Sequence, residues 1–172
     1  MLKPPVNKKD NSTGPDNAAI TLVEYGDYEC PHCGHAHPII KSILQKMEGQ
    51  LRFVFRNFPL QEAHPHALIA ALATEAAARQ AAFWPMHDII FENQETLSYN
   101  DLKGYAAGLK LDIKTFEADI KNEALATKVD DDMESGVRSG VNGTPSFFVN
   151  GEKYNGSWEE EEFLEYLQTF IS

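Results

Sequence analysis

The chain of 172 residues holds two cysteines, three positions apart in Cys30-Pro31-His32-Cys33. With no further cysteine to pair with, they do not form a stabilising disulfide framework, and the spacing instead suits a pair that cycles between dithiol and disulfide. The preceding stretch Ile20-Thr21-Leu22-Val23-Glu24-Tyr25 is short, β-branched and largely apolar, the pattern of a buried strand interrupted by one acid. Downstream, Ile39, Ile40, Ile43, Leu44 and Met47 recur at helical spacing before Gly49, which predicts a helix from about residue 30 to 48. The motif therefore stands where a strand gives way to a helix. Unpaired N–H groups and the positive dipole end at such a point stabilise a thiolate and lower its pKa from the usual ~8.5. Cys30 is accordingly the candidate nucleophile. Cys33, one turn into the helix, is the candidate resolving thiol that attacks a mixed disulfide at Cys30 and releases the partner. Pro31 fits the first turn, where no N–H is needed, and His32 is expected to add positive charge or a hydrogen bond near the sulfur.

The elements around this motif follow from pattern. Residues 1–17 are rich in Pro, Asn, Lys, Asp and Gly and are expected to form a flexible tail. Residues 18–62 read as strand, helix and strand, the second strand being Leu51 to Phe58, stopped by Pro59. Residues 63–138 turn helical, in segments at Ala67–Leu72, Met86–Phe91, Tyr99–Leu109, Ile113–Ile120 and Leu125–Val137. Pro65 and Pro85 suit helix starts, and Asn100 and Asp112 suit N-caps. Residues 139–172 return to strand at Ser146 to Val149, turn at Asn150-Gly151 and continue at Glu152 to Tyr154, since Asn-Gly tolerates the positive φ of a tight hairpin. A last helix is expected behind the capping box Ser157-x-x-Glu160, with Phe163, Leu167 and Phe170 on its apolar face.

Taken together, Cys30-Pro31-His32-Cys33 after an acid-bearing strand, Pro38 in the first helix, and Gly143-Thr144-Pro145 leading into a late strand resemble the DsbA family. The likeness runs from about Ala18 to Ser172. It implies an α/β, thioredoxin-like fold with a mixed central sheet and an all-helical insertion, and a protein disulfide oxidoreductase activity. By position it implies that Cys30 attacks, that Cys33 is its buried partner, and that Gly143-Thr144-Pro145 is a cis-proline loop that pairs with substrate peptide. Glu24 takes the place of the acid beneath the active site, where a raised carboxyl pKa lets it exchange protons with Cys33. Cysteine chemistry of this kind requires no bound cofactor. Protein or peptide thiols and disulfides are the expected substrates, and an unidentified redox partner is expected to recycle a monomeric enzyme.

Composition narrows the alternatives. The formal charge of −11 disfavours nucleic acid, and no run approaches the ~20 apolar residues of a membrane span. Met1 to Asp10 lacks the apolar core of a secretion signal, which read alone points to the cytoplasm, or to an exported compartment if a leader has been removed. Two other readings use the same residues. A non-catalytic peptide-binding holdase would need the groove but not the thiols. A zinc or copper site would use Cys30, Cys33 and His37, which share a helical face, although no metal is expected. His35 and His37 otherwise read as solvent-facing or groove-lining, His64 and His66 as surface caps, and Asp130-Asp131-Asp132 as a solvated face. Phe83-Trp84-Pro85-Met86-His87 reads as core of the helical block, and Arg52 and Arg56, on one strand face, as partners in ion pairs.

Overall fold

The computed structural model describes residues 1–171; Ser172, the last position of the expected C-terminal segment, lies outside the described residues. Five strands form one mixed sheet in the order β1-β3-β2-β4-β5, where β1 is Asn11–Thr13, β2 Ile20–Gly26, β3 Leu51–Asn57, β4 Ser146–Val149 and β5 Glu152–Tyr154. Only β2 and β3 run parallel, and α1 (Pro31–Lys46) connects them. Between β3 and β4 lie α2 (Ala67–Ala78), α3 (Phe83–Glu92), α4 (Tyr99–Gly108), α5 (Ile113–Ile120) and α6 (Glu123–Arg138), and α7 (Glu160–Gln168) closes the fold.

β2 lies at the centre of the sheet, paired on both sides, which explains its nearly unbroken apolar run. Successive side chains alternate between its faces. Ile20 and Leu22 join Phe53, Phe55, Phe147 and the apolar face of α1 in the larger core. Val23 and Tyr25 join Val54, Phe58 and Phe148 in a second core on the opposite face. Glu24 shares the parity of Leu22 and so belongs to the α1 side. On α1, Cys33, Ala36, Ile40 and Ile43 are buried at spacings of three and four, the stripe by which the helix seats against the sheet. Gly26 sits at the end of β2, where a Cβ would stand 2.5 Å from the Phe55 ring; glycine is needed there for the close approach. At the β4–β5 turn both Asn150 and Gly151 take positive φ.

The N-terminal segment departs from the sequence expectation. Residues 1–17 are not a loose tail: Leu2 is buried and its N–H bonds to Gly151 O at 2.7 Å, and Asn11 to Thr13 form an edge strand on β3. The cause is a charge that composition does not reveal. Arg56 on β3 is 1% exposed, and its guanidinium requires partners inside the protein. Asp10 supplies both carboxylate oxygens, at 2.8 and 2.9 Å; Tyr25 Oη and Pro4 O accept at 2.9 and 3.0 Å. Arg52, on the same face, reaches Asp16 at 3.6 Å.

Several local details also differ. α4 is capped by Ser98, in a reciprocal capping box with Asp101, rather than by Asn100, whereas Asp112 does cap α5. The expected box at Ser157 does not form, because the Glu160 carboxylate turns to Ser42 and Lys46 of α1, the latter at 2.6 Å. Asp132 is not part of a solvated face: it is buried, binds Lys128 at 2.8 Å and accepts from the Asn57 backbone and side chain at 3.0 Å. A period-3.6 reading of polar residues does not reveal such a pairing when the partner lies on a distant strand. His37 is buried rather than solvent-facing, stacked on Phe91 of α3 at 5.1 Å between ring centres.

Asp10→Ala leaves the Arg56 charge buried without its carboxylate, and removing one partner of such a pair costs roughly 3–5 kcal/mol. The variant is expected to unfold at markedly lower urea concentration; an unshifted midpoint contradicts the assignment.

Candidate active site

Cys30 occupies the N-cap of α1 in an extended conformation, and Pro31 is the first residue of the helix. Both cysteines are free thiols in this structure. The helix start brings a set of donors to the Cys30 sulfur and holds its pKa at about 5, against an ordinary 9.0. The Cys33 thiol contributes most, with the backbone N–H groups of Cys33 and His32 adding to it; burial works in the opposite direction. Residue 32 thus meets the sulfur through its backbone, and its side chain is exposed. Cys33 is the reverse case. It is fully buried, and desolvation with the neighbouring Cys30 and Glu24 pushes its thiol well above the usual range. The Asp27 N–H points at its sulfur at 3.5 Å.

Glu24 is 2% exposed, and its Oε1 has no hydrogen-bond partner in the protein. Burial, then the charge of Cys30, raises its pKa from 4.5 to about 8. Across from the helix start, the Thr144-Pro145 bond is cis and Thr144 O faces Cys30 Sγ at 3.7 Å. Gly143 O accepts from Ser146 Oγ at 2.7 Å, which tethers the loop to the start of β4. The structure therefore brings Glu24, Cys30, Pro31, Cys33 and Gly143-Thr144-Pro145 into one place. His37 does not join the cysteines. His35 is exposed, beside Trp158 and Glu159.

Three contributors have no clear mark in the sequence. Asp27, buried beneath the loop, accepts from the backbones of Glu29 at 2.8 Å and Leu60 at 2.9 Å, and its Oδ2 takes a third bond from His64 Nδ1 at 2.8 Å. That bond, and to a lesser extent the Cys30 charge, raises the pKa of His64. His64 is thus more than a surface cap, whereas exposed His66 does bond through its backbone N–H to Glu29, at 2.6 Å. Gln94, 64 residues from Cys30, donates its amide to Tyr28 O at 3.0 Å and Cys30 O at 2.9 Å. Gly34 makes room for that amide, since a Cβ there would lie 2.0 Å from Gln94 Oε1. Only a glycine one position after the second cysteine hints at it.

A family model described as Thioredoxin matches residues 6–169. Among solved structures, BdbD from Bacillus subtilis in its oxidised form is 26% identical, with a TM-score of 0.83, covering 95% of this chain and 94% of that one. The thiol–disulfide exchange protein α-DsbA2 from Wolbachia pipientis superposes with a TM-score of 0.85 at 19% identity, covering 96% and 89%. Among curated sequences, Na(+)/H(+) antiporter NhaA 1 from Salinispora arenicola is 41% identical over 94% of this chain and 24% of its own length. The NhaA of Herminiimonas arsenicoxydans is 43% identical over 92% and 25%. The chain thus spans about a quarter of these relatives. Fold and cysteine pair together define a thioredoxin-fold, DsbA-like thiol–disulfide oxidoreductase. The chain belongs to the thioredoxin family.

Two outcomes follow from the proton affinities. A thiol whose folded pKa is depressed adds stability that is complete above the unfolded value near 9 and lost as pH falls through about 5. The stability of the reduced protein relative to the oxidised one should therefore rise between about pH 5 and pH 9, by at most about 1.4 kcal/mol per pH unit. Paired thermal melts of the two forms measure it. A carboxyl raised to about 8 has the opposite sign: its cost is absent below pH 4.5 and grows up to about pH 8. Glu24→Gln should therefore stabilise the fold by about 2–3 kcal/mol at pH 7 and not at all at pH 4, read by urea denaturation at both values.

Proposed function

We propose that the chain transfers disulfides to protein thiols, working as an oxidant through the Cys30–Cys33 pair. The opposed proton affinities of the two sulfurs carry this reading, Cys30 ionised at about pH 5 and Cys33 held protonated. In the oxidised pair, a substrate thiolate attacks Cys30 Sγ. A mixed disulfide forms, the Cys30–Cys33 bond breaks, and Cys33 leaves as a thiolate that takes a proton. A second substrate thiolate then attacks the substrate sulfur of the mixed disulfide and releases Cys30 as a stable thiolate. The substrate gains a disulfide and the pair gains two electrons. A low leaving-group pKa speeds the second step, and a stabilised reduced form makes the pair more oxidising.

Glu24 is the proton donor for Cys33 in this scheme: it alone combines burial next to that sulfur with a pKa of about 8. Pro31 starts the helix that stabilises Cys30. The backbone of Gly143-Thr144-Pro145 binds the substrate as an extended peptide, a role supported by the approach of Thr144 O to the sulfur. No helix among the described residues is long and apolar enough to cross a membrane.

A reduced, unfolded disulfide protein offered to the oxidised chain tests the reading through loss of substrate thiols. Wild type should oxidise it stoichiometrically, Cys30→Ser should be inert, and Cys33→Ser, pre-activated as a mixed disulfide with a small thiol, should accumulate a covalent complex with a substrate variant that offers a single thiol. Equilibration with glutathione should place the potential above about −200 mV, more oxidising than the ~−270 mV of a reducing thioredoxin. A value near the latter would overturn the oxidant direction.

A further inference from the structure

Away from the cysteines, α1 and α3 converge on donor groups that disulfide exchange does not use. His37 and Lys41 lie one turn apart on α1, and His87, Asp88 and Glu92 come from α3. One donor atom from each of His37, His87 and Asp88 lies within 4.8 Å of the other two. His37 is 93% buried, being 7% exposed, yet its Nε2 has no hydrogen-bond partner. The nearest acceptors are Asp88 Oδ1 at 3.6 Å and Glu92 Oε1 at 3.9 Å, too far for a hydrogen bond. A buried nitrogen left in this state costs about 1–3 kcal/mol.

These spacings suit a bridging ion. Two ligands bound tetrahedrally at roughly 2.0–2.1 Å stand about 3.3 Å apart, so the His37–carboxylate contacts need to close by ~0.3 and ~0.6 Å, and the other pairs of the His37, His87 and Asp88 set by at most ~1.5 Å. Tyr28 Oη holds His87 Nδ1 at 2.8 Å, an outer contact of the kind that orients a ligating ring. Lys41 Nζ lies 3.4 Å from Asp88 Oδ2 and 3.7 Å from Glu92 Oε1, and it is half-exposed, free to swing into solvent. Imidazole with carboxylate suits borderline ions such as Zn(II) better than Mg(II) or Ca(II), which favour oxygen alone.

We propose that His37, His87, Asp88 and Glu92 bind a divalent transition-metal ion of the zinc type, which ties α1 to α3, and that Lys41 is the cation it displaces. Equilibrium dialysis against zinc at pH 7 tests this on the untagged full chain with Cys30→Ser and Cys33→Ser, so that the thiols do not chelate. One zinc per chain is expected, with a raised thermal midpoint. In the same background Asp88→Asn should weaken binding about tenfold or more, as loss of a ligand does. Lys41→Gln should tighten it severalfold. Both positions are at the surface and compatible with folding. Cobalt(II) in place of zinc should give the visible bands of a tetrahedral site. Failure to retain zinc, binding unchanged by Asp88→Asn, or weaker binding in Lys41→Gln would each overturn the site without touching the exchange reaction.

Discussion

Glu24 and Cys30 hold opposite protonation preferences within one low-dielectric layer: the acid keeps its proton to about pH 8, while the thiol releases its own at about pH 5. Such a pair persists only where water is excluded from the carboxyl and donors converge on the sulfur. The architecture meets both needs. Central placement of β2 removes Glu24 from solvent, and the alternation of that strand turns it toward α1. The start of α1 supplies the donors. A carboxyl kept uncharged at neutral pH is a liability for the fold and an asset for moving protons, which is a common form of the trade between stability and activity.

The two faces of the sheet handle buried charge differently. On the α1 side the acid is neutralised by taking up a proton. On the other side Arg56 remains charged and is met by Asp10, Tyr25 and two backbone carbonyls. That demand draws the N-terminal segment onto the sheet and creates the edge strand β1. Charge pairing, rather than apolar burial alone, thus decides how the first residues are ordered.

Much of this was legible in the sequence because it rests on short-range pattern. The apolar strand interrupted by Glu24, the three-and-four spacing along α1 and the Asn150-Gly151 turn each depend on residues a few places apart. What was missed depends on partners far along the chain. Asp10 finds Arg56 across 46 residues, Asp132 finds Asn57 across 75, and Glu160 abandons its own N-terminus for Lys46 across 114. Composition near residues 1–17 reads as unstructured because the local segment holds little apolar surface; its order is imposed by a guanidinium elsewhere. His37 was misplaced for the same reason, since helical periodicity gives no sign that Phe91 comes to lie against it.

The Gln94 amide reaches two backbone carbonyls at once, on either side of Glu29, through a gap that Gly34 leaves open. The segment between β3 and β4 is therefore stitched to the reactive turn by this amide, besides the bonds of Leu60, His64 and His66 to Asp27 and Glu29. The helices and the sheet-borne motif are not interchangeable cassettes: a hybrid joining this sheet to another relative's helices would lose this bridge to the turn unless it carried both the glycine and the amide. Variation at those two positions has to occur in concert, as one joint rather than two independent sites.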